Sequence, residues 1–546
     1  MRPMDPGFHS THAIGYDASK PNGERNRIVA ASTEDTGPSP GQLARRDVLK
    51  GAALGLGMWG VAATASTVEE GASAAANPIL QENAREGTTD WLLTKTHIAP
   101  ETRYRSPRVE GYCNATSLPA GAQLEIMVSA NPPAPVAIEI FRMGYYGGKG
   151  GRLVRPRETV EVGTQPDPDV GTMRIRDCQW AASLSIEIPE DWISGVYLGK
   201  LSEQRDGIQS YVIFIVRDNR QADFMFQCSD STWNAYNRWP DQFALYDDGD
   251  SEWYLGAGTA TSFNRPYGKY CQVVDTPLSI GSGEFMLWEF PMAYWLEQQG
   301  YDVTYTSNLD THADGAGLQR VKGFLSVGHD EYWTRPMYDH VMAAIQGGMS
   351  AGFFSGDTCW GMIDLLPDAA GRAHRGITRI DHFGPVDEEL VKRYPAVGAY
   401  PHQGPDQALM MGARDVYPVS GGADWICSAE EHWIFEGTGM KNGEGIPGLV
   451  GFEWHGAPAK IPGLEVVASG TASTGSAEGV YAATVYPGPR DNVVFNAATI
   501  WWGDGLAAPP GYVRPATYTE PQGPDPRVQR ITRNILDRMR RGNPRG

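Results

Sequence analysis

From residue 223 to residue 360 the chain alternates short apolar runs with stretches of helical period, and this alternation narrows the fold more than any other feature. DFMFQC (223 to 228), YDVTYTS (301 to 307), GFLSV (323 to 327) and SAGFF (350 to 354) have strand length and composition. FPMAYWLEQQG reads as a helix closed by Gly300. A second helix is capped by Thr334, carries Pro336 in its first turn and Met337, Val341 and Ile345 on one face, and stops at Gly347 and Gly348. Strand, helix and strand joined by short links imply right-handed crossovers. The expectation for 218 to 510 is therefore an α/β catalytic domain on a parallel sheet, Rossmann-like or glutamine-amidotransferase-like. Ligands of such sheets bind beyond the carboxyl ends of the strands. Four polar segments fall there: Asp230 to Tyr236, Asn308 to His312, His329 to Trp333, and Asp357 to Cys359.

Residues 98 to 217 follow a different grammar. QLEIMVS, VAIEIFRMG, SLSIEIP, GVYLGKL and SYVIFIV recur with turn residues between them and no helical period, which predicts an antiparallel β-sandwich of immunoglobulin-like class. Its FRMGYYGGKGGRLV lacks the G-K-[ST] ending and following helix of a phosphate loop, so it reads as a tight β-turn. Residues 77 to 97 read as a linker. VVFNAATIWW (493 to 502) reads as a late strand, and the tail from 511 to 546 as carrying a basic amphipathic helix, RVQRITRNILDRMRRG.

The N-terminal LARRDVLKGAALGLGMWGVAATAS pairs Arg45 with Arg46 ahead of a weakly apolar run from Gly51 to Ala65, followed by small residues up to Ala76. That run is too short to span a bilayer core of roughly 30 Å, so no stable membrane insertion is expected from it. The order of features is that of a twin-arginine export signal over residues 1 to 76, directing the protein to the periplasm, the cell envelope or the medium. A net charge of −19 argues against a nucleic-acid partner, because phosphate binding needs clustered Lys and Arg. Six widely spaced cysteines contain no C-x-x-C pair, which speaks against a zinc ribbon.

Among the polar segments, His329 and Glu331 alternate with Asp330 and can face the same way in an extended chain, as a base and a metal ligand would. Taken alone, such a triplet is more often a structural polar turn, and its place at a strand's carboxyl end is what raises it. Tyr236 and Tyr246 belong to an aromatic-rich stretch that also suits packing over a sheet. Cys359 sits at a strand end, where a helix N-terminus would favour its thiolate, but GDTCW lacks the small residue of a nucleophile elbow.

GYYGGKGGRLV (144 to 154), STWNAYNRW (231 to 239), ALYDDG (244 to 249), SVGHDEYW (326 to 333) and FFSGDTCW (353 to 360), in this order and spacing, resemble the large catalytic subunit of N,N-dimethylformamidase and its relatives. The similarity runs from about residue 105 to 502. It implies an amidohydrolase of small linear amides with a mononuclear iron, Fe(III), held by two tyrosine phenolates and a glutamate, with a histidine assisting the attacking water. Matched onto this chain, those residues are Tyr236, Tyr246, Glu331 and His329, with Tyr267 of SFNRPY as a rival to Tyr246. The resemblance also implies a small companion subunit, whose need here stays open, as does oligomerisation; the export signal is a departure from the family. Two other readings use the same scaffold: a metal-free binding or cell-envelope protein, and a hydrolase dependent on Cys359. If the paired arginines carry export, Arg45→Lys with Arg46→Lys should leave the protein in the cytoplasm, as fractionation and immunoblotting would reveal; undiminished secretion would refute the signal.

Overall fold

The computed structural model describes residues 77–97, 105–250, 253–268, 285–418, 421–512 and 523–541. The export signal expected over residues 1 to 76 and Cys271 lie outside them. The described residues belong to one compact unit.

Its centre is a nine-stranded sheet. Val303–Ser307 forms one edge, and Ala222–Cys228, Val321–His329, Ser350–Gly356 and Val493–Asn496 follow, all parallel. Glu478–Pro487, Glu465–Ser473, Gly421–Ile426 and Gly445–Phe452 then extend it, all antiparallel. The all-parallel Rossmann-like sheet expected over 218 to 510 is thus incorrect, and the sheet is mixed. The reason lies beyond residue 400, where the helical period disappears. Glu465–Ser473 and Glu478–Pro487 are joined by a turn in which the Thr474 N–H donates to the Ala477 carbonyl at 3.0 Å. So short a link permits only an antiparallel pair. Glycine, serine and alanine dilute the alternation of these strands, which is why their sequence pattern is weak.

Alternating side chains cover both faces of the parallel half. Phe224, Phe226, Leu325 and Val327 pack with the helices Phe290–Gln298 and Pro526–Arg541. Met225, Phe324 and Phe353 pack on the other side with Met337, Val341 and Ile345 of the helix Arg335–Gln346. Coverage on both sides is what a parallel ladder requires. Among the described residues, no helix is long and apolar enough to cross a membrane.

The N-terminal strands form a three-stranded sheet and a five-stranded sheet whose apolar side chains share one cluster, including Leu124, Ile126, Ile138 and Phe214. The five-stranded sheet includes one parallel pair, Ser117–Pro119 with Gln209–Arg217, and is otherwise antiparallel. The glycine-rich turn follows the strand Ala134–Met143, with Gly147, Gly148 and Gly150 at φ of 62°, 92° and 81°. A buried ion pair joins these sheets to the rest. Arg142 Nη2 and Nη1 donate to Glu297 Oε1 and Oε2 at 2.8 and 3.0 Å, and neither side chain is exposed. Glu297 also accepts from Tyr305 OH at 2.9 Å and Asn83 Nδ2 at 2.8 Å. The pair fits because Gly144 and Gly195 flank it: a Cβ there would lie 2.3 Å from Glu297 Oε2 and 2.7 Å from Arg142 Nε. Removing one partner of such a pair strands a buried charge, at a typical cost of about 3–5 kcal/mol. Arg142→Met should therefore lower the denaturant midpoint sharply, and Arg142→Met with Glu297→Leu should cost less than the sum of the single changes.

Candidate functional site

The site forms where the chain steps between sheets. Val321–His329 ends in the nine-stranded sheet, and Tyr332–Trp333 opens the edge of a four-stranded one, ordered Ala260–Ser262, Gly376–His382, Gly361–Leu366, Tyr332–Trp333. Gly328 turns the chain at φ 69°, and a Cβ there would lie 2.7 Å from the Trp288 carbonyl oxygen, so only glycine fits. Asp330 anchors the crossing. Its buried carboxylate accepts from Gln227 Nε2 at 2.7 Å, Asn308 Nδ2 at 2.9 Å and Ser326 Oγ at 2.9 Å. Thr232 Oγ1 accepts from the N–H groups of Glu331 and Tyr332 at 3.0 and 3.2 Å. His329 and Glu331 are thereby fixed on either side of an immobile residue.

Tyr236 caps the C-terminus of the helix Asp230–Ala235. Tyr246 lies in a loop held by the Leu245 N–H to the Ala235 carbonyl at 2.9 Å and by Thr259 Oγ1 to the Leu245 carbonyl at 2.8 Å. Their hydroxyls meet Glu331. Tyr236 OH donates to Glu331 Oε2 at 2.7 Å, and Tyr246 OH lies 2.7 Å from Tyr236 OH and 3.1 and 3.2 Å from the two Glu331 oxygens. His329 Nε2 is 3.4 Å from Glu331 Oε2 and 2.8 Å from Glu453 Oε2. Tyr267, by contrast, lines a separate small cavity with Trp233 and Arg265.

Burial pushes the Tyr236 and Tyr246 phenols well above their ordinary pKa, and the Glu331 charge pushes both further. Arg379 opposes this at Tyr246. Its buried guanidinium lies 4.9 Å from the Tyr246 ring centre and donates to Tyr332 OH at 2.6 Å, and Tyr332 OH in turn lies 2.5 Å from Tyr246 OH. An oxygen anion at Tyr246 thus has a donor and a nearby cation waiting for it.

The three oxygens open onto a cavity of about 90 Å³. Asp357, Asp415 and Glu453 line it as well. Asp357, His329 and Glu331 can bring one ligand atom each within 4.8 Å of one another. Burial and neighbouring carboxylates raise Asp357 well above the carboxylate range, and burial takes Asp415 up to about 7. A second group of similar spread, Asp381, His382 and His402, has its carboxylate engaged by the N–H groups of His402 and Gln403. Sequence reasoning missed Tyr332 and Arg379 as partners of Tyr246, and it missed Glu453 and Asp415. Glu453 follows an antiparallel strand and stands in FEWH, which resembles no motif of proton transfer. Cys359 is fully buried in the apolar cluster with Met337 and Phe353, and burial raises its thiol well above the usual range, so it offers no thiolate. The five described cysteines are all free thiols.

A family model described as N,N-dimethylformamidase beta subunit-like, C-terminal, matches residues 137–517. The chain belongs to this family. The match spans the step between sheets and all four oxygen- and nitrogen-bearing residues around Glu331, and it reaches back into the five-stranded N-terminal sheet. No curated protein matches the chain. Membership supports an amidohydrolase-like enzyme, and the two clusters above are places where its side chains could hold a metal.

Asp230 opens the helix that delivers Tyr236 and accepts the Asn308 N–H at 2.8 Å. Burial raises its pKa from 3.8 to about 7. The folded state then holds this proton more tightly than the unfolded chain, so its contribution to stability is complete below pH 3.8 and is lost as pH rises through about 7. Asp230→Asn keeps the acceptor and removes the titration. Thermal melts between pH 4.5 and 8 should show a flatter dependence in the variant than in the parent, and parallel curves would count against the shift.

Proposed function

We propose that the protein is an exported, iron-dependent amidohydrolase that cleaves the C–N bond of a small linear amide. Tyr236, Tyr246 and Glu331 would hold a mononuclear iron, Fe(III), and His329 would move the proton. The observation that carries this reading is the convergence of two phenol oxygens and one carboxylate within 2.7–3.2 Å of one another in a buried setting. Oxygen donors gathered this closely could share one ion. The donors fit as well. Phenolate and carboxylate are hard oxygen ligands suited to a hard, highly charged ion. Buried phenols beside a carboxylate keep their protons unless a strong positive charge is among them, which makes a multivalent cation the natural complement of this set.

Such an ion, when bound, supplies Lewis acidity to an amide carbonyl and acidifies a water from a pKa of about 15.7 towards neutrality. The chain's own residues do the rest. His329 Nε2, set between Glu331 and Glu453, is placed to take a proton from the attacking water and return it to the departing nitrogen. Glu453, whose pKa burial raises, lies 2.8 Å from that same nitrogen and can exchange the proton with it. Trp360, Phe452 and Trp454 line the cavity and limit access of bulk water. Tyr332 and Arg379 steady Tyr246 as an anion. Export rests on the arginine pair and the small-residue run preceding Asn77.

The purified mature protein should be coloured by a phenolate-to-iron(III) band, which zinc or calcium cannot produce. Tyr236→Phe and Tyr246→Phe should each bleach it, while Tyr267→Phe should not. Glu331→Ala should lose most of the metal. His329→Ala should keep the colour and lose about 10²- to 10⁴-fold in turnover. A colourless, iron-free protein that hydrolyses amides would overturn the reading.

A further inference from the structure

The lining of the cavity is chemically one-sided. The sixteen described residues that line it divide into eight aromatic, three aliphatic and five acidic ones, and among the described residues no Lys, Arg or His and no neutral amide or hydroxyl side chain other than tyrosine lines it. Glu331 belongs to the proposed metal set and Glu453 faces His329; Asp415 and Asp387 stand outside that set, and Asp357 borders it, within 4.8 Å of ligand atoms of His329 and Glu331. Asp387 is exposed at the rim. Asp415 accepts from Gln407 Nε2 at 2.5 Å and from its own backbone N–H, with Arg414 nearby.

Asp357 is the telling residue. It is 8% exposed, it lines the cavity, and no hydrogen bond or ion pair among the described residues reaches its carboxylate. It also holds a strained backbone, φ 52°, and Phe452 across the same cavity does likewise at φ 50°. Strained non-glycine residues that persist in a well-packed fold cluster at ligand sites. Burial and the Glu453 and Glu331 charges disfavour the ionised form of Asp357, with His329 opposing them, and a cation entering the cavity would favour that form. Aromatic walls add to the attraction through the negative faces of their rings, the chemistry by which aromatic cages hold quaternary ammonium groups. Trp360, Tyr394, Tyr417 and Trp454 supply such walls. The same lining repels carboxylate and phosphate ligands.

Resting on the amidohydrolase reading, we infer that the substrate is a small amide bearing an alkylammonium group, seated between these aromatic walls and the carboxylates of Asp357 and Asp415. The cation is the specificity handle, and Asp357 would hold it close to the reacting centre, since its carboxylate lies within 4.8 Å of ligand atoms of His329 and Glu331.

Calorimetric titration of the full mature protein with choline and with its neutral isostere 3,3-dimethylbutan-1-ol tests this without catalysis. Choline should bind at least about tenfold more tightly. Asp357→Asn and Asp415→Asn should each reduce that preference, and Tyr394→Leu, at the half-buried rim, should weaken choline binding even if the buried variant fails to fold. Equal binding of the two probes, or a preference unchanged in Asp415→Asn and Tyr394→Leu, would overturn the inference. So would uptake of a second equivalent of manganese that excludes choline and disappears in Asp357→Asn, since Asp357 would then be a metal ligand. Iron colour without cation preference removes this inference alone; cation preference in a protein that takes up no iron removes the amidohydrolase reading and leaves the cation site standing.

Discussion

The buried carboxylate of Asp330 is the constraint from which the site is built. It draws donors from the strand Ala222–Cys228 through Gln227, from its own strand through Ser326, and from the helix Asn308–Ala313 through Asn308. Three hydrogen bonds to one buried anion leave the crossing between sheets no freedom to slide. Because side chains alternate along an extended chain, fixing Asp330 away from the cavity fixes His329 and Glu331 toward it. Tyr332, one residue further, lies against Tyr246 with Arg379 behind it.

The electrostatics of the site run counter to ordinary burial. Phenols and carboxylates gather where water is scarce, and the Arg379 guanidinium reaches only the Tyr332 and Tyr246 side of them. The opposite side, with Asp357, Glu453 and Asp415, carries raised carboxylate pKa values whose largest cause is desolvation. Such an arrangement is costly for the apo fold and gains most from bound positive charge. One asymmetry therefore supports both halves of the functional argument: the oxygen cluster suits a metal ion, and the Asp357 carboxylate bordering it suits an organic cation.

Much of the site was legible because its residues lie in short, locally patterned stretches. GHDEYW follows an apolar strand and marks a strand end, and WNAYN follows DFMFQC in the same way. Tyr246 over Tyr267 was not legible, since both follow the same aromatic-rich loop and only packing carries the Tyr246 hydroxyl 2.7 Å from that of Tyr236. Glu453 was invisible for a different reason. It reaches His329 from an antiparallel strand whose place at the far edge of the sheet depends on strand order, and no local pattern encodes that order.

The sequence by itself determined the alternation of strands and helices between 223 and 360, the polar residues at their ends, and membership of the dimethylformamidase-like family, because hydrophobic period, capping and motif order are local properties of the chain. Only the tertiary structure decided that the sheet is mixed, that Arg379 stands behind Tyr332, and that Asp357 lines the cavity with no hydrogen bond or ion pair from any described residue. Those outcomes are set by pairings between segments tens to more than a hundred residues apart, where the free energy of burial and hydrogen bonding chooses among many arrangements that the same local patterns allow.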